Sequence, residues 1–321
     1  MDPVTPDFID KVNSWSLQAT AQAFVTHYSS VTLEFIYDLL TDNALYLIGA
    51  LGLFILFFAG QVSLGHGAMI GLTAYSAGIV TVNWGWDFYM AAPAAAVAGV
   101  ISGVIFWYLL GLRLTLFYLG IGTFALGEAF ITLGLNSDYI GGALGFHGIP
   151  LRTEWWHVAL ILALAMFATW RLEVSRFGLA MRAIRDNPTV AGAMGINVAT
   201  TKLWAWMIGG GLTGLSGWLY AHRVTILSPP EFGIFMAITY VLAPLIGGLR
   251  TFWGTIVGGI FVYWAPWITT TDEPQWRLAF YGVMILLLMI FLPQGLFPAT
   301  PTRSKGRRTE TAVQEAARTA E

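Results

Sequence analysis

Nine apolar stretches, each near the length that crosses a bilayer, follow one another along the chain: about 43–59, 61–82, 88–110, 114–135, 155–172, 200–221, 231–249, 252–268 and 276–292. A helix rises about 1.5 Å per residue, so roughly 20 apolar residues match a hydrocarbon core of about 30 Å. Soluble domains carry about 25% charged residues. Here 11% of the 321 residues are charged and 56% are hydrophobic. The expected fold is all-α, a polytopic transmembrane helical bundle. Two connections are very short, residue 60 and residues 250–251. A re-entrant or broken segment can hide at either place, so the expected count is eight to ten spans.

The flanks differ from this middle. Residues 17–40 have apolar positions at helical spacing, but Glu34 and Asp38 interrupt them. An interfacial helix is expected there, with a further span as the alternative. The opening MDPVTPDFIDK lacks a basic region followed by an apolar core, so it does not read as a cleaved signal peptide. From Pro298 onward the chain is polar, charged and short of apolar residues, which points to a disordered tail. Three parts follow: an N-terminal extension 1–42, a membrane domain 43–297 and a charged tail 298–321.

Basic residues give the orientation. With 171–202 placed inside, the tail with Arg303, Lys305, Arg307, Arg308 and Arg318 lies four spans later and is also inside. Arg113 and Arg250 fall on that side too. Only Lys11, Arg152, Arg223 and Arg277 of the 16 basic residues lie outside, where the carboxylates gather. This is the positive-inside pattern over the loops as a set. Glycine pairs four apart (67/71, 99/103, 210/214, 254/258) offer the close helix approach that packing in lipid requires.

The longest interruption between strongly apolar segments is 175–196, SRFGLAMRAIRDNPTVAGAMGI. Its grammar is helical. Ser175 can cap a first helix, and Asn187 a second with Pro188 at its first position. Gly195 suits a left-handed stop. Spacing leaves two readings level: a docking surface for a cytoplasmic partner, or a basic loop on lipid headgroups.

Few polar groups enter the apolar stretches. Gln61, Ser63 and His66 open the second, and Glu128 lies within the fourth. A carboxyl group in lipid is costly and suggests either a solute path or a helix-locking hydrogen bond. His66 reads as a packing or gate residue rather than a metal ligand. The chain has no HExxH, no GxSxG elbow, no cysteine and no GxxxxGK[ST] phosphate loop. Transport driven by ATP would need an ATPase on another polypeptide. A passive channel or secondary transporter stays open, and a membrane-embedded enzyme is the weakest reading.

Several ordered pieces resemble one family: GQVSLGHGAMIGLTAYSA (60–77), RLTLFYLGIGTFALGEAF (113–130), GGALGFHGIP (141–150) and SRFGLAMRAIRDNPTVAGAMGINVATTKL (175–203), followed by GLSGWLYAH (214–222), SPPEF (228–232), LIGGLRTFWGTIVGG (245–259) and LPQGLF (292–297). The chain resembles the LivM-type permease subunits of branched-chain amino acid importers of the ATP-binding cassette class. The resemblance implies a multi-pass protein of the plasma (inner) membrane. Its implied partners are a second, LivH-like permease, two cytoplasmic ATPase subunits and an extracytoplasmic solute-binding protein, with no nucleic acid. No cofactor is expected in this chain; ATP and Mg would be bound by the ATPases.

In that reading 175–196 is the coupling region, with Arg176, Phe177, Gly178, Arg182, Ala183, Arg185, Asn187, Ala191, Gly195 and Ile196 carried over by position. Gln61, Ser63, His66, Tyr118 and Glu128 are the expected positions on the translocation path. Departures from the family pattern are Pro188, Val190 and Gly192 in the coupling region, and Leu116, Phe117 and Ile140 near the path. The wider family includes carriers of urea and short amides, which remain the alternative substrates.

Overall fold

The structure is a computed structural model and describes residues 34–114, 116–268, 282–283, 286–287 and 296. Helix α1 (Glu34–Phe58) is the axis of the described bundle. Nearly every side chain from Leu45 to Ala59 is buried, because α1 is enclosed on several sides rather than facing lipid. The expected boundary between residues 42 and 43 falls inside α1. Glu34 and Asp38, expected to interrupt, both lie within this helix; Arg223 pairs with Asp38 and with Asp42 across the bundle.

Helix α1 ends in a left-handed glycine. Gly60 has φ +70, its N–H bonds the Phe57 carbonyl, and the Gln61 N–H reaches back to Leu56, which closes the helix end. The chain then runs non-helically to Gly65 before α2 (His66–Val82) begins. His66 Nε2 lies 3.0 Å from the Gly49 carbonyl oxygen, nine residues before the end of α1. Helix α2 therefore starts well inside the bundle, and the second expected span is broken.

Helix α3 (Phe88–Phe106) closes with a π-helical turn over Trp107–Gly111, and α4 (Leu116–Leu135) returns. A loop with 3-10 turns at Asp138–Ile140 and Gly142–Leu144 leads to α5 (Trp155–Val174). Two short helices follow, α6 (Arg176–Asp186) and α7 (Pro188–Ala193). Helix α8 (Val198–Val224) recrosses the bundle over 27 residues. The chain comes back through a 3-10 turn (Pro229–Phe232) into α9 (Ile234–Gly247), then α10 (Phe252–Ile268). The turn approaches α2 closely: a methyl group at Gly67 would meet the Phe232 carbonyl. So α9 is a second helix that begins within the bundle.

Of the glycine pairs, 99/103 and 210/214 face each other across the α3–α8 seam. A methyl group at Gly99 would run into the Gly210 carbonyl, and one at Gly214 into the Ala95 carbonyl. Lipid supplies no hydrophobic drive for helix association, so this close backbone approach sustains the seam through dispersion. Every other described element is helical too, apart from one bridging pair, Phe146 and Leu227. The expected ninth apolar stretch and the tail from 298 lie outside the described residues, except for 282–283 and 286–287.

The two ends of the bundle differ in charge. Arg182, Arg185 and Arg250 gather at the end carrying α6 and α7. Arg223, Asp38 and Asp42 mark the opposite end, where Arg152 donates its backbone N–H to the His222 carbonyl.

Candidate functional site

The two short helices form as their local sequence dictates. Ser175 Oγ accepts from the Gly178 N–H at 3.0 Å, and Asn187 Oδ1 accepts from Thr189 and Val190 at 3.0 and 3.1 Å. Pro188 occupies the first turn of α7, where its missing N–H costs nothing. Gly195, at φ +85, turns the chain toward α8, whose own cap is Asn197. The result is a knob with defined ends.

Long-range contacts decide which way its side chains point. Arg182 Nη2 donates to the Glu173 carbonyl at 2.7 Å, and Arg185 Nη1 donates to the Leu249 carbonyl at 2.6 Å. Both guanidinium groups lie over the Phe58 ring, at 5.2 and 5.7 Å from its centre. Glu173 Oε2 in turn accepts from the Phe252 N–H, the start of α10. One cluster thus joins α6 to the ends of α1 and α5 and to the α9–α10 turn. Burial pulls the Arg185 pKa below the ordinary arginine value; Arg182 and Arg250 nearby act the same way and Asp186 opposes them. An arginine has margin to stay charged under such pressure.

Of the ten expected coupling positions, Gly178 and Ala191 are buried and Arg182 and Arg185 turn into the bundle. Arg176, Asn187 and Gly195 stay on the surface; Phe177, Ala183 and Ile196 are half-buried. A feature not singled out from the sequence is exposed apolar surface: Leu179 on α6, Val190 on α7 and Met194 just after it are exposed, the last at 79%. Three bare apolar side chains amid basic residues were the available signal.

The five expected path positions differ in their surroundings. Gln61 is buried beside Trp206, whose indole N–H points to its Oε1 at 3.4 Å, while its own Nε2 donates to the Gly60 carbonyl. Ser63 and His66 are fully buried; Ser63 Oγ and His66 Nδ1 find no hydrogen-bond partner among the described residues. The His66 ring packs 5.6 Å from that of Tyr240. Glu128 is half-buried beside Gly233, where α9 begins, next to Gly65 and Ala68 at the start of α2. Its carboxyl group therefore lies where two broken helices start. Tyr118, on α4, is 63% exposed. Among the described residues no group of three or more His, Asp or Glu is placed to hold a metal.

Comparison with known proteins gives a consistent picture. The profile of the family described as "Branched-chain amino acid transport system / permease component" matches residues 35–289. The high-affinity branched-chain amino acid transport system permease protein LivM of Salmonella typhimurium is 28% identical over 308 aligned residues, covering 84% of this chain and 71% of its own. LivM of Escherichia coli K12 gives the same identity and coverage. A probable LivH permease of Methanocaldococcus jannaschii is 32% identical over 40% of this chain and 38% of its own. No solved structure matches the chain significantly.

Proposed function

We propose, for a chain that belongs to the family of permease components of branched-chain amino acid transport systems, that it carries branched-chain amino acids inward as one membrane subunit of an importer of the ATP-binding cassette class. It sits in the plasma (inner) membrane with α6 and α7 in the cytoplasm. A second, LivH-like permease completes the pore. Two cytoplasmic ATPases, holding ATP and Mg, provide the driving force, and an extracytoplasmic binding protein delivers the solute. The substrate class follows the names of the LivM relatives.

The observation that carries this reading is the capped, clamped knob. Leu179, Val190 and Met194 offer an ATPase an apolar face. Behind that face, Arg182 and Arg185 fix α6 to Phe58, to Glu173 and to the Leu249 carbonyl. A rigid-body displacement of the knob is then passed to α1, α5 and the α9–α10 turn together. Helix α1 runs the length of the bundle, so a tilt at Phe58 reaches Asp38 and Asp42 at the far end.

The test is reconstitution. Proteoliposomes with all the partners and internal ATP should accumulate leucine, and those with this chain alone should not. Leucine flux through the chain alone, without ATP, would instead identify a channel.

A further inference from the structure

A half-open cavity of about 530 Å³ lies at the end of the bundle opposite α6 and α7, lined by residues of α1, α8, α9 and α10. Specific small-molecule pockets commonly span roughly 300–1,000 Å³ and combine apolar walls with a few placed polar groups. This one does so. Arg223 and Asp42 stand on one wall, 2.9 Å apart from Nε to Oδ1, and Asp38 takes the Arg223 Nη2 at 2.7 Å. The Tyr220 hydroxyl donates to Glu231, and the Tyr240 hydroxyl interacts with Ser216. Leu45 and Met236 supply apolar surface. The ion pairs by themselves would staple α8 to α1; they do not account for the void beside them.

We propose that this cavity is a binding site for the zwitterion with an aliphatic side chain, a way-station that receives the solute inside the permease itself. Two of the five N–H donors of Arg223 are engaged by Asp42 and Asp38, and a guanidinium suits a further carboxylate. Asp42 offers the opposite charge to an ammonium group within the same reach. The aliphatic part then lies against Leu45, Met236 and the tyrosine rings. The site was not among the positions that intramembrane polarity marked, because Asp42 and Arg223 fall just outside the apolar stretches 43–59 and 200–221, where charges are unremarked. The assignment rests on the importer reading above.

Since the chain has no cysteine, a single Val224→Cys places a reporter on the cavity wall, and Leu151→Cys places a control on an exposed site at the same end. The assembled transporter in nanodiscs is labelled with a hydrophilic maleimide, with and without 10 mM L-leucine, isoamylamine or 4-methylpentanoate; leucine uptake is measured in parallel. Leucine should slow labelling of Val224→Cys at least threefold and leave Leu151→Cys unaffected, while the amine and the acid alone protect neither. Arg223→Gln should abolish the protection. Met236→Trp, which fills the void and keeps every charge, should abolish it as well, so that loss of the α1–α8 staple is not the explanation. Labelling indifferent to leucine in a complex that imports leucine would overturn the site and leave the importer reading. Protection without import would keep the site and remove that reading, and neither protection nor import would remove both.

Discussion

Arg185 places a charge where it is half enclosed by protein, and its hydrogen bond to Leu249 links residues 64 apart in sequence. Hydrogen bonds from charged groups contribute about 1.5–3 kcal/mol when removed. Arg185→Met is therefore expected to lower the thermal midpoint of the purified protein by that order of destabilisation. The ATPases should still co-purify with it, because its side chain faces away from the docking surface. The capping residues act more locally. Ser175→Ala and Asn187→Ala should each cost about 1 kcal/mol, read as faster hydrogen exchange in the first turns of α6 and α7. These caps were legible in the sequence because a cap involves residues two or three positions apart. The inward turn of Arg182 and Arg185 was not, since Phe58 and Leu249 are brought to them only by the fold. Basic residues between spans read as surface charge until their partners are seen.

At the scale of helices, each of the first eight apolar stretches contains a described helix. Among the described residues, however, only five helices, Glu34–Phe58, Phe88–Gly111, Phe117–Leu135, Trp155–Val174 and Pro229–Gly247, are long and apolar enough to cross a membrane, against the eight to ten expected. The short connection at residue 60 does coincide with a break. Its cause was readable: a left-handed glycine can end a helix in a single residue. The apolar stretch was started at residue 43, within α1, because Glu34 and Asp38 look like interruptions until Arg223, 185 residues past Asp38, answers the second of them. The path positions were chosen as polar groups in apolar stretches. That criterion finds buried polar atoms, but it does not tell a lining residue from a packing one. The glycine seam gives a direct prediction. Gly210→Val should force α8 off α3 and destabilise the protein by about 1–3 kcal/mol or more, as overpacking does. Gly192→Ala, where the nearest neighbour of an added methyl would be a Val198 side-chain carbon at 3.9 Å, should be close to neutral. Thermal unfolding of the two variants side by side measures the difference.

For the whole molecule, the proposed function assigns the two ends opposite tasks: force enters at the arginine end and solute at the carboxylate end. Leu179→Asp combined with Val190→Asp and Met194→Asp should release the ATPases on purification and change the stability of the permease by no more than about 0.5 kcal/mol per substitution, since all three side chains are exposed. Orientation can be read on intact cells, because single cysteines enter a cysteine-free background. An impermeant maleimide should reach Leu151→Cys and fail to reach Val190→Cys until the membrane is opened.

The central claim is that a separate ATPase moves this chain through α6, gripped by Arg182 and Arg185. Its most direct measurement is ATP hydrolysis and leucine uptake, together, by the reconstituted complex carrying Arg182→Ala and Arg185→Ala. The account predicts that hydrolysis continues while uptake per ATP falls at least tenfold. Uptake per ATP equal to that of the unaltered complex would contradict it.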